Sequence, residues 1–267
     1  MQAKPRLAIV DIATDRQTLW SEATRSYVMD EIKVRRLINK LDKLLSTLPP
    51  SHSHRVIALH EKAYLYAYLM KRDVSRKYFD DAESEGLPLL AKCVSLSHAL
   101  FVCGDLKGGA QEIMKVDREQ VAQVDLVGVA ACCVHLGLFK MAKDFYLQAG
   151  MGAEGISKKV VEAAQILDDI EAEDSDILER ISVAGEIVKQ MTNSPLIAYD
   201  LFAMQGEGIL FRFVVRGGVD HLSKIDRAID EALSSQFCEV IDNFFSIGIA
   251  PHAPDSVKSM GSLHVCM

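Results

Sequence analysis

Cys132-Cys133 and the alternating pair His52 and His54 are side chains whose types and spacing could bind a metal or do redox chemistry. Neither pair brings enough partners. The two cysteines fall inside an apolar helical stretch, where thiols pack as small hydrophobic groups, and the histidines need further ligands that local sequence does not supply. The run Asp168, Asp169, Glu171, Glu173, Asp174, Asp176, Glu179 is dense enough in carboxylates for a divalent cation. It lacks the glycine and the spacing of a calcium loop and reads as a solvated helix end. Gly150-Met151-Gly152-Ala153-Glu154-Gly155 has the three-glycine spacing of a dinucleotide loop. Such a loop must leave a strand to aim its amides at a pyrophosphate, whereas Phe139 to Ala149 has helical periodicity, so a helix stop is the reading. Arg212 and Arg216 share one side of a predicted strand, about 13 Å apart on standard geometry, and could grip an anionic partner or simply face solvent. The sequence contains no nucleophile elbow, P-loop, His-Glu-x-x-His helix or Cys-x-x-Cys pair. It assigns no catalytic residue, no metal and no cofactor.

Composition narrows the remaining classes. With 267 residues the chain can bury a full core and form two domains. Half of the residues are hydrophobic and a quarter charged, ordinary proportions for a soluble globular protein. A net charge of −7 argues against nucleic acid as the main partner. No apolar run reaches bilayer-spanning length, Met1 to Arg6 lacks the apolar core of a secretory signal, and Cys266 stands next to last, outside a prenylation pattern. Six cysteines without regular pairing fit reduced thiols, so the expectation is a cytoplasmic protein with no membrane partner.

Periodicity then places the elements. Arg6 to Ile12 is β-branched and predicts a short strand. Thr18 to Leu48 predicts one long amphipathic helix with the stripe Val34, Ile38, Leu41, Leu45, Leu48, stopped by Pro49-Pro50. Between Leu59 and Ala149 one pattern is written three times with shifts of 34 and 33 residues. Ala63, Ser97 and Ala130 align in a first helix; Ser75, Gly109 and Ala142 align in a second. Leu59, Cys93, Leu126 and Phe79, Ile113, Tyr146 follow the same frame. Antiparallel helices approach closely only where side chains are short, so the spacing encodes helix hairpins. Ile156 to Ile170 and Ile177 to Gln190 predict a further, capping helix pair. After Asn193-Ser194-Pro195 the period becomes two. Leu196 to Met204 and Ile209 to Arg216 predict a hairpin around Gln205-Gly206-Glu207-Gly208, followed by a helix from Asp220 to Ser235 and a strand from Phe244 to Ala250.

The repeated segment, residues 56–150, resembles the tetratricopeptide repeat family, most clearly in Leu126, Val129, Ala130, Cys133, Gly137, Ala142, Tyr146 and Ala149. It departs from that family at Lys62, in lacking a glycine at the first turn, and in lacking the repeat's tryptophan and terminal proline. The resemblance implies a concave groove lined by the first helices that holds an extended peptide or a partner helix. Position by position this groove would show His60, Tyr64 and Tyr68, then Val94, His98 and Phe101, then Val127, Val134 and His135. Such an apolar surface left bare would invite aggregation. Two occupants fit: a partner's amphipathic helix, or the chain's own Val34 to Leu48 stripe, folded back or swapped between copies.

The fold expected from sequence is mainly α: a helical domain over residues 1–192 containing three tetratricopeptide-like hairpins, a β-β-α-β module over 193–253, and a disordered tail over 254–267. The function expected is a protein-interaction scaffold that binds a protein or peptide partner, or a second copy of itself. The alternative is an enzyme or small-ligand sensor with its site in the C-terminal module or the interdomain cleft, using Arg212, Arg216, Asp220 and His221.

Overall fold

Ile9, Ile12, Leu19 and Ala23 recur at three, seven and four residues and are all buried, which is the one-sided burial of a helix. In the computed structural model, which describes residues 5–50, 52–152, 154–252 and 263–266, they belong to α1 (Pro5–Ser26). This corrects the strand expected over Arg6 to Ile12 and the single helix expected from Thr18 to Leu48. The long helix is broken at Tyr27, which turns to φ 54°, and restarted by Asp30, whose carboxylate accepts from the Lys33 amide at 3.0 Å. α2 (Glu31–Leu45) then buries Val34, Leu37, Ile38 and Leu41. The chain is mainly helical, with a small α+β module following the helices.

Consecutive helices next pair as hairpins: α3 (Ser53–Tyr68) with α4 (Arg72–Ser84), α5 (Leu89–Val102) with α6 (Leu106–Ile113), and α7 (Leu126–His135) with α8 (Phe139–Gln148). The aligned small residues Ala63, Ser97, Ala130, Ser75 and Ala142 are buried to within 1 %. A Cβ on Gly109 would lie 3.0 Å from the Ser97 carbonyl oxygen, so α5 and α6 meet here almost backbone to backbone. The three first helices also end alike. Gly104 and Gly137 adopt φ 75° and 76°, and Met70 takes the same left-handed position at φ 56° in the hairpin without a glycine. In each, the amide after this residue reaches back five residues: Lys71 to Tyr66 at 2.9 Å, Asp105 to Leu100 at 2.8 Å, and Leu138 to Cys133 at 3.0 Å.

α9 (Gly155–Asp169) and α10 (Asp174–Thr192) exist as expected but do not form a capping hairpin. α9 packs on α8, while α10 crosses to α6. The acidic run between them is used structurally. The Asp174 carboxylate accepts from the Lys140 and Met141 amides at 2.9 and 3.0 Å, capping α8 from outside it, and Asp168 pairs with Lys140 and Lys143. Gly150 ends α8 at φ 75°, so the three-glycine segment follows a helix, the wrong context for a dinucleotide loop.

α10 also sets a test of the packing. A Cβ on Gly137 would fall 2.5 Å from Ile181 Cδ1 and 2.6 Å from Ile177 Cγ2, whereas one on Gly150, with nearly the same φ, meets nothing within 4 Å. Gly150→Ala is expected to cost about 1–2 kcal/mol from backbone strain alone, and Gly137→Ala about 2–4 kcal/mol once overpacking is added. Thermal unfolding of the two variants checks the order; equal losses would contradict the contact of α10 with the third hairpin.

In the α+β module, β1 (Ala198–Met204) and β2 (Gly208–Val215) form the expected hairpin, and α11 (Val219–Gln236) carries the chain over to β3 (Phe245–Pro251), parallel to β2. Of the tail expected to be disordered, Leu263–Cys266 adds β4 beside β1, giving the order β3-β2-β1-β4; its remaining residues lie outside the described ones. Tyr199, Leu201, Ile209, Phe211, Phe213 and Val215 face the helices and share one core with Phe101, Leu106 and Val188. The opposite face holds a small cluster of Ala198, Val214 and Ala250 on which Tyr27 rests. No helix among the described residues is long and apolar enough to cross a membrane.

Candidate functional site in the groove of the first helices

Tyr64 and Tyr68 follow His60 at steps of four on α3, His98 and Phe101 follow Val94 at steps of four and three on α5, and Val134 follows Val127 by seven on α7. Each set therefore falls on one helical face, with His135 at the edge of the third, and three such faces in sequence order make one wall. Six of the nine expected groove residues are brought into a chain of rings. His60 meets Tyr64 at 5.1 Å, Tyr64 meets Tyr68 at 6.4 Å and His98 at 5.7 Å, His98 meets His135 at 6.0 Å, and His135 meets Phe101 at 5.6 Å. Val134 is fully buried, Val94 is half-buried against the core, and Val127 stands outside at 40 % exposure.

The wall is covered by the chain itself, and by a different segment from the one expected. Trp20 of α1 stacks on Tyr68 at 4.8 Å and turns its edge to His98 at 6.0 Å. The Val34 to Leu48 stripe meets α3 elsewhere, on the side where Lys62 pairs with Asp42 and lies 4.2 Å from the Tyr78 ring. At the far end Tyr199 of β1 closes on His135 at 5.4 Å and Phe101 at 6.5 Å. Tyr64, Tyr68, Phe101, Val134 and His135 are therefore buried.

Under Trp20 the groove is polar. The Arg16 guanidinium lies 4.7 Å from the Tyr64 ring centre. Its Nε donates to Glu61 Oε2, its Nη2 to Glu61 Oε1 at 3.4 Å, and its Nη1 to the Tyr68 hydroxyl at 3.0 Å. Burial works to raise the Glu61 carboxyl, but the hydrogen bond with His60 and the Arg16 charge outweigh it and hold it below the usual range. His60 Nδ1 lies 3.5 Å from Glu61 Oε1, and its Nε2 2.9 Å from the Ser95 hydroxyl. Carboxylate, imidazole and hydroxyl in line is the order of an activated serine. Here the hydroxyl is buried and inside α5, whose amides are committed to its own carbonyls, so no helix amide beside Ser95 is free to hold an oxyanion. The line reads as a hydrogen-bond network that orients the wall.

The other expected residues separate. Arg212 pairs across the hairpin with buried Asp200, and Arg216 donates to the Ser26 carbonyl oxygen at 3.1 Å, at the end of α1. His252 reaches the neighbouring Arg25 carbonyl oxygen at 3.2 Å and its ring lies 4.2 Å from Tyr27. The C-terminal module thus holds the end of the helix that fills the groove. Asp220 and His221 are exposed, with His221 and Arg216 beside a cleft of about 200 Å³. Cys132 and Cys133 are buried free thiols; burial pushes Cys132 up to about 12 and Cys133 well above its ordinary value, which suits packing and not nucleophilic attack. His52 caps α3 by accepting from the His54 amide at 3.1 Å.

Arg16, Trp20 and Glu61 were not expected from sequence. The spacing of Ile9, Ile12, Leu19 and Ala23 was the available signal for α1, and nothing local pairs Arg16 with a residue 45 positions away. No known protein family, curated protein or solved structure matches this chain.

Proposed function

We propose that this protein is an interaction scaffold whose first-helix groove holds an amphipathic helix, and that α1 occupies the groove until a partner's helix replaces it. The observation that carries this is the kind of contact α1 makes. An intramolecular helix kept only for stability needs apolar burial, but α1 enters the groove with a guanidinium fork and an indole, the directional contacts that recognition sites use. The matching helix stops at Met70, Gly104 and Gly137 support a tetratricopeptide-like reading of residues 56–150, and the free thiols of Cys93, Cys103, Cys132 and Cys133 support a reducing, cytoplasmic setting.

Co-purification tests it. A Trp20→Ala chain should recover a partner in stoichiometric amount where the wild-type chain recovers little, and adding Glu61→Gln should lose that partner. Equal recovery by all three chains, with folding checked by circular dichroism, would sink the scaffold reading.

A second reading, a small-ligand sensor, is favoured by a cleft of about 670 Å³ between α11 and the start of β3, lined by Leu233, Phe237, Val240 and Phe245 over the buried Arg180. That is within the size range of small-molecule sites. A large melting-point rise with one metabolite in a thermal-shift screen would favour it over the scaffold.

A further inference from the structure

We infer that the groove selects its helical ligand by an arginine followed four residues later by a tryptophan, the pair that α1 presents as Arg16 and Trp20. This rests on the scaffold reading and specifies the partner: an amphipathic helix of another protein, for which α1 is the internal stand-in.

The arginine follows from Glu61. Its residue is 5 % exposed, and a buried carboxylate without a cation is strongly unfavourable. The neighbouring Lys62 cannot serve, since it is committed to Asp42 and the Tyr78 ring. His60 is shared with Ser95. Arg16 meets both carboxylate oxygens, gives a third N–H to the Tyr68 hydroxyl and sits over the Tyr64 ring, 4.7 Å from its centre. A planar fork can do all of this together, and a lysine ammonium on the same helix cannot. An incoming helix that lacks a guanidinium at this point leaves Glu61 buried without its cation, with only His60 Nδ1 3.5 Å away.

The tryptophan follows from the next turn. Residues four apart share a helix face, and Trp20 stacks on the same Tyr68 whose hydroxyl Arg16 holds, with ring planes at 21°, while its edge meets His98. Tyr68 thereby reads both side chains at once. Ile12, Leu19 and Ala23 add apolar burial, which many sequences can supply. The outer end of α1 is held by Arg216 and His252 through two carbonyl oxygens, contacts that carry no side-chain information about the occupant.

A tethered helix competes at an effective concentration of about millimolar, so the test weakens it first. The full chain carrying Arg16→Ala and Trp20→Ala would be titrated with a fluorescein-labelled peptide of residues 5–26 and followed by anisotropy. This chain should bind the peptide about ten-fold or more tightly than the wild-type chain does, and peptides with Arg16→Lys or Trp20→Ala should each bind about ten-fold or more weakly than the parent. Adding Glu61→Gln to the chain should erase the discrimination between arginine and lysine. Equal binding by parent and Arg16→Lys peptides, or no binding to the doubly substituted chain, overturns the inference. Should that chain fail to fold, the wild-type chain decides: Trp20 is its lone tryptophan, and peptide with Trp20→Phe, raised to about ten millimolar to offset its weaker binding, should shift the chain's emission to the red on displacement, a shift the Arg16→Lys, Trp20→Phe peptide should not produce. No shift with either peptide, or the same shift with both, overturns it equally. The two proposals fail separately. Selective peptide binding without a recovered partner ends the scaffold role and keeps the arginine-tryptophan code; a Glu61-dependent partner without peptide selectivity does the reverse.

Discussion

Tyr199→Ala is expected to lower stability by about 3–5 kcal/mol, the range for removing a large buried ring. Tyr199 is 1 % exposed, stacks on Phe211 at 5.0 Å with planes 8° apart, and turns its edge to His135 and Phe101. It therefore joins the groove's far end to the sheet. The walls of the resulting cavity are poorly placed to collapse: Phe101 and Phe211 are fully buried, and Phe213, edge-on to Phe211 at 5.3 Å, is 1 % exposed. Tyr199→Phe keeps the ring and should cost less than about 1.5 kcal/mol. Urea unfolding of the two variants measures the difference. Similar midpoints for both would mean that the ring is not what ties the sheet to the third hairpin.

Much of the architecture was legible because short-range physics determined it. Ala63, Ser97 and Ala130 mark helix contacts because any larger side chain would hold the helices apart, and the turn from Met204 to Gly208 sets the strand register in which Ile209, Phe211 and Phe213 face inward. That same register places Asp200 opposite Arg212, so the ion pair that takes Arg212 out of an anion site was readable once the hairpin was drawn. α1 was misread because Ile9, Val10 and Ile12 are β-branched, a local preference that burial of one helical face overrides. The identity of the groove's occupant was not written locally at all. Arg16 meets Glu61 and Arg216 meets Ser26 across 45 and 190 residues, and only the assembled fold brings such groups together. α9 and α10 part in the same way: α9 packs on α8 and the sheet, and α10 on α11 and α6, partners that only the assembled fold supplies.

Mild acid should destabilise the fold well before its carboxylates are protonated. Burial, with the Arg16 charge second, lowers His98 to about 4, and burial with His98 beside it pushes His135 well below its ordinary value. His98 Nε2 and His135 Nδ1 are both shut off from solvent without a hydrogen-bond partner. Around them stand Arg16 and Trp20 of α1, Tyr64 of α3, Phe101 of α5 and Tyr199 of β1, and the one charge among these is positive. A folded-state pKa below the unfolded value means that the unfolded chain takes up the proton first, so stability is held above about pH 6.5 and falls as pH drops toward 4. For His98 the difference amounts to about 3 kcal/mol by pH 4, and His135 acts in the same direction. Glu61, whose folded pKa is depressed, contributes stability that is present above its unfolded value near 4.5 and is lost at lower pH, so its effect begins where that of the histidines is nearly complete. Urea midpoints measured from pH 7.5 to 4.5 should therefore decline along most of the range, and His98→Gln, which cannot take a proton, should flatten the decline. An unchanged slope in His98→Gln would place the acid sensitivity elsewhere and would mean that the imidazole beside Trp20 is reached by water.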